Sequence, residues 1–236
     1  MKKSTIMITA AVLIILGSLT AFNVKIKQIY LTGSYKSKFK GMDFTPANGL
    51  VNIDIQSANR LGILVERGDK EGVWIREDKK ETYQVDIHTN TLKLDIAKKA
   101  KEEGFNSWGD VIIVTKNLNR LTASPYLMDK ENLKDITGNV EIKGFTLSDL
   151  DLQIGLGISA SLYKMQLDKL TAFVGDKKSG NSSLFIGSDT KINTANLNVP
   201  GKSMLTLANP TITKAVYNLS DSATVSLNGK LLQLIK

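Results

Sequence analysis

From residue 170 onward, short apolar runs return roughly every twenty residues, and each period contains two of them. Leu170 to Val174, Ala195 to Val199 and Ala215 to Leu219 form one series; Leu184 to Ile186, Leu205 to Leu207 and Val225 to Leu227 form the other. Within the runs, Leu, Ile and Val alternate with Thr, Ser and Asn, the two-residue period of a strand with one buried face. A single pair of such strands cannot bury its apolar side, so neighbouring periods must pair edge to edge and share a stacked interior. The expected architecture is an all-β, β-solenoid or β-helix-like domain, with an antiparallel sandwich as the alternative. Ile186, Leu197, Leu207, Leu219 and Leu227 are the expected inward positions. Corners are supplied by Gly175-Asp-Lys-Lys-Ser-Gly180, Pro200-Gly-Lys-Ser203 and Asn209-Pro210.

The first half is also rich in strand patterns. Val51, Ile53 and Ile55 alternate with Asn52, Asp54 and Gln56, and further strands read at Gly62 to Glu66, Gly72 to Arg76, Tyr83 to Ile87, Thr91 to Ile96 and Asp110 to Thr115. Polar clusters at Arg67 to Lys70 and Glu77 to Lys80 separate them. Lys98 to Gly104 has no apolar face and is read as a loop. The β domain is placed at residues 48–236, with a strand-rich opening at 48–124 and rungs at 136–236.

Ahead of it, Lys2-Lys3 precedes an uncharged run from Thr5 to Phe22. Some 18 residues rise about 27 Å as a helix, close to the thickness of a bilayer's hydrocarbon core. Residues 1–24 are read as a membrane anchor or signal-anchor, held in the lipid bilayer through residues 5–22, and residues 25–47 as a juxtamembrane linker. Cleavage after Ala21 would put Leu19 where a signal peptidase needs a small residue, so an uncleaved anchor is favoured. Charge counting is divided: Lys2 and Lys3 favour a cytoplasmic N-terminus, whereas Lys25, Lys27, Lys36, Lys38 and Lys40 lie on the other flank. Large domains translocate largely regardless of charge, so the β domain is expected on the exported side, periplasmic or extracellular.

Composition removes several functions. The formal charge of +8 falls to +4 once the four lysines of residues 1–27 are set aside, and the rest are scattered among acids, so no nucleic-acid partner is expected. With no cysteine, disulfides, thiolate metal sites and cysteine nucleophiles are excluded. The single histidine, His88, follows Val85-Asp86-Ile87 and should face solvent while Val85 and Ile87 face inward. One histidine cannot build the paired-histidine sites common in zinc hydrolases.

No motif assigns a catalytic, cofactor-binding or metal-binding residue. Gly155-Leu156-Gly157 lacks the third glycine, lysine and helix of a phosphate loop and reads as a turn. No Gly-x-Ser-x-Gly elbow occurs. Asp149 and Asp151 would project from one face of a strand, roughly 7 Å apart. With Asp168 or Asp176 on a neighbouring rung they would form a calcium site or the acid/base pair of a carbohydrate-active enzyme. The preferred reading leaves them as solvated outward positions. Trp74, Trp108, Tyr126 and Tyr163 are candidates for a sugar-stacking surface, against the plainer reading that they cover the core or an end of the stack. Asn181 and Asn218 lie in glycosylation sequons.

The order of features has a parallel. An opening strand leads to Asn90-Thr-Leu-Lys-Leu-Asp-Ile96, then Asp110-Val-Ile-Ile-Val-Thr115 runs into Asn117-Leu-Asn-Arg-Leu-Thr-Ala-Ser124. The phrases Gly155-Leu-Gly-Ile-Ser-Ala-Ser161 and Gly187-Ser-Asp-Thr-Lys-Ile192 follow. Over approximately residues 50–230 the chain resembles the putative autotransporter adhesin head GIN domain family of bacterial envelope proteins, though with fewer Ser-Gly-Ser repeats and more Leu and Lys. The resemblance implies a β-solenoid-like envelope domain. Its expected partners are an envelope polysaccharide or protein, and the expected role is a non-catalytic, adhesin-like or structural binding module with no cofactor.

Overall fold

Lys3–Leu31 forms one helix, α1, in the computed structural model, which describes residues 3–31, 37–107, 109–127, 137–177 and 181–228. Within it, Thr5–Gln28 has a mean hydropathy of 2.2 and is long and apolar enough to cross a membrane; none of it is buried against protein. Ile6, Leu13, Ile14, Leu16 and Phe22 are all exposed. Three of its hydroxyls are turned onto its own backbone: Thr9 donates to the carbonyl of Thr5, Ser18 to that of Ile15 and Thr20 to that of Leu16. Such internal bonds leave no polar hydrogen unsatisfied in an apolar solvent. The helix continues through Lys25 and Lys27, so the stretch expected as linker begins helical.

The chain divides into Met1–Met42 and Asp43–Lys236. Strand is the main regular structure of the second unit. Its opening half carries β1 (Met42–Pro46), β2 (Asn52–Ile55), β3 (Gly62–Arg67), β4 (Gly72–Arg76), β5 (Tyr83–His88), β6 (Thr91–Ile96), β7 (Val111–Thr115) and β8 (Arg120–Ala123). Then come β9 (Gly138–Lys143), β10 (Thr146–Ile154), β11 (Ile158–Tyr163), β12 (Gln166–Val174), β13 (Ser183–Ile186), β14 (Lys191–Val199), β15 (Met204–Ala208), β16 (Thr211–Leu219) and β17 (Thr224–Asn228). They form a nine-stranded sheet ordered β1-β4-β7-β3-β9-β11-β13-β15-β17 and an eight-stranded sheet ordered β16-β14-β12-β10-β8-β2-β6-β5.

From β8 onward consecutive strands alternate between the sheets, and from β10 onward each pairs in parallel with the strand two places before it. The registers run Leu150, Leu170, Ala195, Ala215 across one sheet and Ala160, Leu184, Leu205, Val225 across the other. Antiparallel pairing joins β4 with β7 and β5 with β6, in the opening half. The two-residue period places the apolar columns of both sheets in one core, where Ile186 and Leu207 are fully buried and Leu197 nearly so. Leu219 departs from its expected place: it pairs with buried Val199, yet is 39% exposed, because β16 is the outermost strand of its sheet. Leu227, on the outermost strand of the other sheet, is only partly buried.

Lys98 to Gly104 is not all loop, as its lack of an apolar face suggested. Lys98–Glu102 forms α2, a single short helix, because one small residue, Ala100, suffices to bury its inner side, while Lys101 reaches Asp95 at 2.6 Å.

One irregularity shapes the surface. In β10, β12 and β14, inward Leu147, Leu167 and Ile192 are each followed by two outward residues before Leu150, Leu170 and Ala195 turn in again. The same break in alternation recurs in β16 between Ile212 and Ala215, so four neighbours share a stacked bend, and their one-to-one registers continue on either side of it.

Candidate functional site

Along the stacked bends lies a groove of about 360 Å³ on the outer side of the eight-stranded sheet, lined by Thr146, Leu147, Ser148, Gln166, Leu167, Asp168, Lys191 and Asn193. Its floor is polar and ordered across strands: the Asn193 amide donates to Asp168 Oδ1 at 2.8 Å. The groove crosses three strands, so its donors and acceptors repeat at the interstrand spacing of about 4.8 Å.

The aspartates do not converge in it. Asp151 accepts from Arg120 Nε and Gln153 Nε2, both at 2.9 Å, and only Asp168 lines the groove. Asp149 is exposed in register with Lys169, and Asp176 is exposed beyond the end of β12. A glycosidic acid/base pair needs two carboxylates flanking one bond, with one held protonated by an apolar setting. Here Asp151 is answered by a guanidinium and Asp168 by an amide. Among the described residues no three His, Cys, Asp or Glu side chains are grouped to hold a metal ion.

The other candidates fall in separate places. His88 faces solvent, 3.0 Å from the Asp86 carboxylate, while Val85 and Ile87 pack partly on the core. Gly155 closes a turn against the end of β8: a Cβ there would lie 2.6 Å from Pro125 Cδ and 2.9 Å from the Ala123 carbonyl oxygen. Its lack of a side chain is a packing requirement. Asn181 and Asn218 are both exposed.

The aromatics divide into three sites rather than one surface, and Trp108 lies outside the described residues. Trp74 stacks on Phe44 at 4.5 Å, with Lys70 Nζ over both rings at 4.3 and 4.4 Å. Tyr126 lies beneath Arg60 and Lys101. Tyr163 meets Phe185 at 5.5 Å on the outward side of the nine-stranded sheet. Phe44 and Phe185 were missed in the sequence. The available signal was a phenylalanine at an outward strand position, where solvated residues are the rule.

A buried hydrogen-bond chain was missed as well. Tyr83 Oη donates to Ser107 Oγ at 2.6 Å, Ser107 donates to Asp110 Oδ2 at 2.6 Å, and Arg76 approaches Asp110 at 3.4 Å. Burial pushes the Tyr83 phenol well above its ordinary range, which keeps the hydroxyl protonated as the first donor. The serine points its proton into a carboxylate already paired with arginine, and no histidine stands beside it. The chain ties β4 and β5 to the segment before β7.

No protein-family description matches this sequence, and no curated protein matches it. Among solved structures it is similar to a "putative adhesin" from Bacteroides fragilis at 15% identity, TM-score 0.49, covering 79% of this chain and 96% of that one. A "putative lipid binding protein" from Parabacteroides distasonis is 13% identical, TM-score 0.34, with 80% and 96% covered. A "putative adhesin" from Parabacteroides merdae is 11% identical, TM-score 0.33, with 80% and 95% covered.

Proposed function

We propose that this chain is a membrane-anchored, non-catalytic binding module of the cell envelope, adhesin-like in using the long outer faces of a short two-sheet β-solenoid. The solenoid reading is supported by the parallel pairing of every strand from β10 to β17 with the strand two places before it. Anchoring is supported by α1, whose apolar surface has no protein to bury it. The observation that carries the function is the dispersal of the carboxylates: Asp149, Asp151 and Asp168 occupy separate settings on a face otherwise rich in Thr, Asn and Gln. Outer faces of this kind hold an extended envelope polysaccharide or protein through many weak contacts, with avidity from their number.

Two expected results test it. Asp149→Asn and Asp151→Asn together should leave the melting temperature within about 2 °C, because surface changes of this kind stay near ±0.5 kcal/mol. The purified protein should release no reducing sugar from envelope or plant polysaccharides. Robust cleavage abolished by that double change would replace the binding module with a carbohydrate-active enzyme. On fractionation the full-length chain should sediment with membranes and enter solution only with detergent. Recovery as a soluble chain beginning near Phe22 would make α1 a removable signal.

A further inference from the structure

The two outer faces of the stack differ in charge. On the eight-stranded sheet, Asp149, Asp151, Asp168, Lys169, Lys191 and Lys214 all lie outward. On the nine-stranded sheet, the outward residues of β11, β13, β15 and β17 include no charged side chain, and the adjoining β9 brings Glu141 and Lys143, paired with each other at 3.4 Å, to the border beside Ser161 and Tyr163. In a chain with 23% charged residues, four neighbouring strands with a neutral outer surface are a marked departure.

What replaces charge on this face is hydroxyls, two rings and the exposed Met204. In register, Ser159 stands beside Ser183, and Ser161 beside Phe185 and then Thr206. Ser183 donates to Ser159 across the strands at 2.8 Å. Tyr163 ends β11, its ring lying over Gly187, where a Cβ would come within 3.0 Å of Cδ1. The missing side chain lets the ring settle against the sheet, 5.5 Å from Phe185 and inclined at 40°. Both rings are half-buried, with part of each left to solvent.

We infer that this face is the ligand-binding face and that it takes an extended, uncharged polysaccharide. The inference rests on reading the chain as a non-catalytic binding module. Aromatic rings offer apolar surface to the C–H face of a pyranose. Serine and threonine hydroxyls both donate and accept, matching the double capacity of sugar hydroxyls. Rows of them repeat at the interstrand distance of about 4.8 Å, so a repeating polymer meets a repeating surface. An acidic polymer would find one cation at the border, Lys143 on β9 beside Tyr163, already paired with Glu141 at 3.4 Å, and a protein partner would find two rings and Met204 on a hydroxyl field, without the large apolar centre of a stable interface.

The test uses the full-length chain in lipid nanodiscs over immobilised neutral β-glucan, mannan and xylan, with polygalacturonate as the acidic comparison. Wild type should be retained by at least one neutral polymer, equally at about 50 and 500 mM salt, since no counterions are displaced. Tyr163→Ala and Phe185→Ala should each weaken retention about tenfold, and Asp168→Asn in the opposite groove should change nothing. Circular dichroism keeps the comparison among folded variants. Retention that survives both aromatic changes, retention by polygalacturonate alone, or no retention by any polymer overturns the assignment. Loss on Asp168→Asn would move binding to the groove and leave the module reading standing, whereas release of sugar fragments would overturn that reading itself.

Discussion

Leu207→Asp is expected to unfold the C-terminal strands as a block, whereas Leu219→Asp, one strand series away, is expected to be nearly silent. Leu207 is fully buried in a column with Ile186 and Leu227. A carboxylate placed there has no partner and costs several kcal/mol, a large part of a typical total stability of about 5–15 kcal/mol. Because β15 is paired on both sides, by β13 and β17, its loss deprives both neighbours of a ladder. Leu219 is 39% exposed at the edge of its sheet, so the same change there should cost no more than about 1 kcal/mol. Thermal melts followed by circular dichroism decide between them. Equal melting temperatures for the two variants would show that the inward columns are wrongly assigned.

Gly138→Ala should be nearly as damaging, although it adds one methyl group. A Cβ at Gly138 would lie 1.7 Å from the carbonyl oxygen of Ala58 and 2.8 Å from the backbone carbons of Ala58 and Asn59. Both sides of the contact are backbone, so no side chain can rotate away. Gly138 opens β9, the strand that pairs with β3 of the opening half and β11 of the later half, and the 3-10 turn at Ala58–Arg60 abuts it. Separating them should cost at least about 3 kcal/mol, or roughly 6–12 °C in melting temperature for a domain of this size. Gly49→Ala is the internal comparison: its positive φ is also poorly suited to alanine, but nothing lies within 4 Å, so a loss of about 1 kcal/mol is expected.

These contrasts mark how far the sequence could be read. The two-residue alternation placed strands and inward phase correctly where a strand has neighbours on both sides, as at Ile186, Leu197 and Leu207. It failed at Leu219 because a periodic pattern does not state where the array ends, and burial at an end depends on the next strand. The stacked bends of β10, β12, β14 and β16 were written as a spacing of three between Leu147 and Leu150, Leu167 and Leu170, Ile192 and Ala195, and Ile212 and Ala215. A search for strict alternation passes over that spacing. The Gly138 contact and the Tyr83-Ser107-Asp110 chain join residues far apart in sequence through a topology that local pattern does not contain. The separation of the aspartates was legible only in part: their outward phase was clear, but not that Asp151 would meet Arg120 on β8 and Asp168 would meet Asn193 on β14.

An envelope module held by one helix must be open to protease in intact spheroplasts. With the β module on the outer side of the inner membrane, added protease should reach it without lysis and leave a small membrane-embedded fragment carrying α1. A cytoplasmic control protein should remain whole in the same sample. A full-length chain that resists protease until the membrane is lysed, then yields to it, would place the module in the cytoplasm and contradict the account.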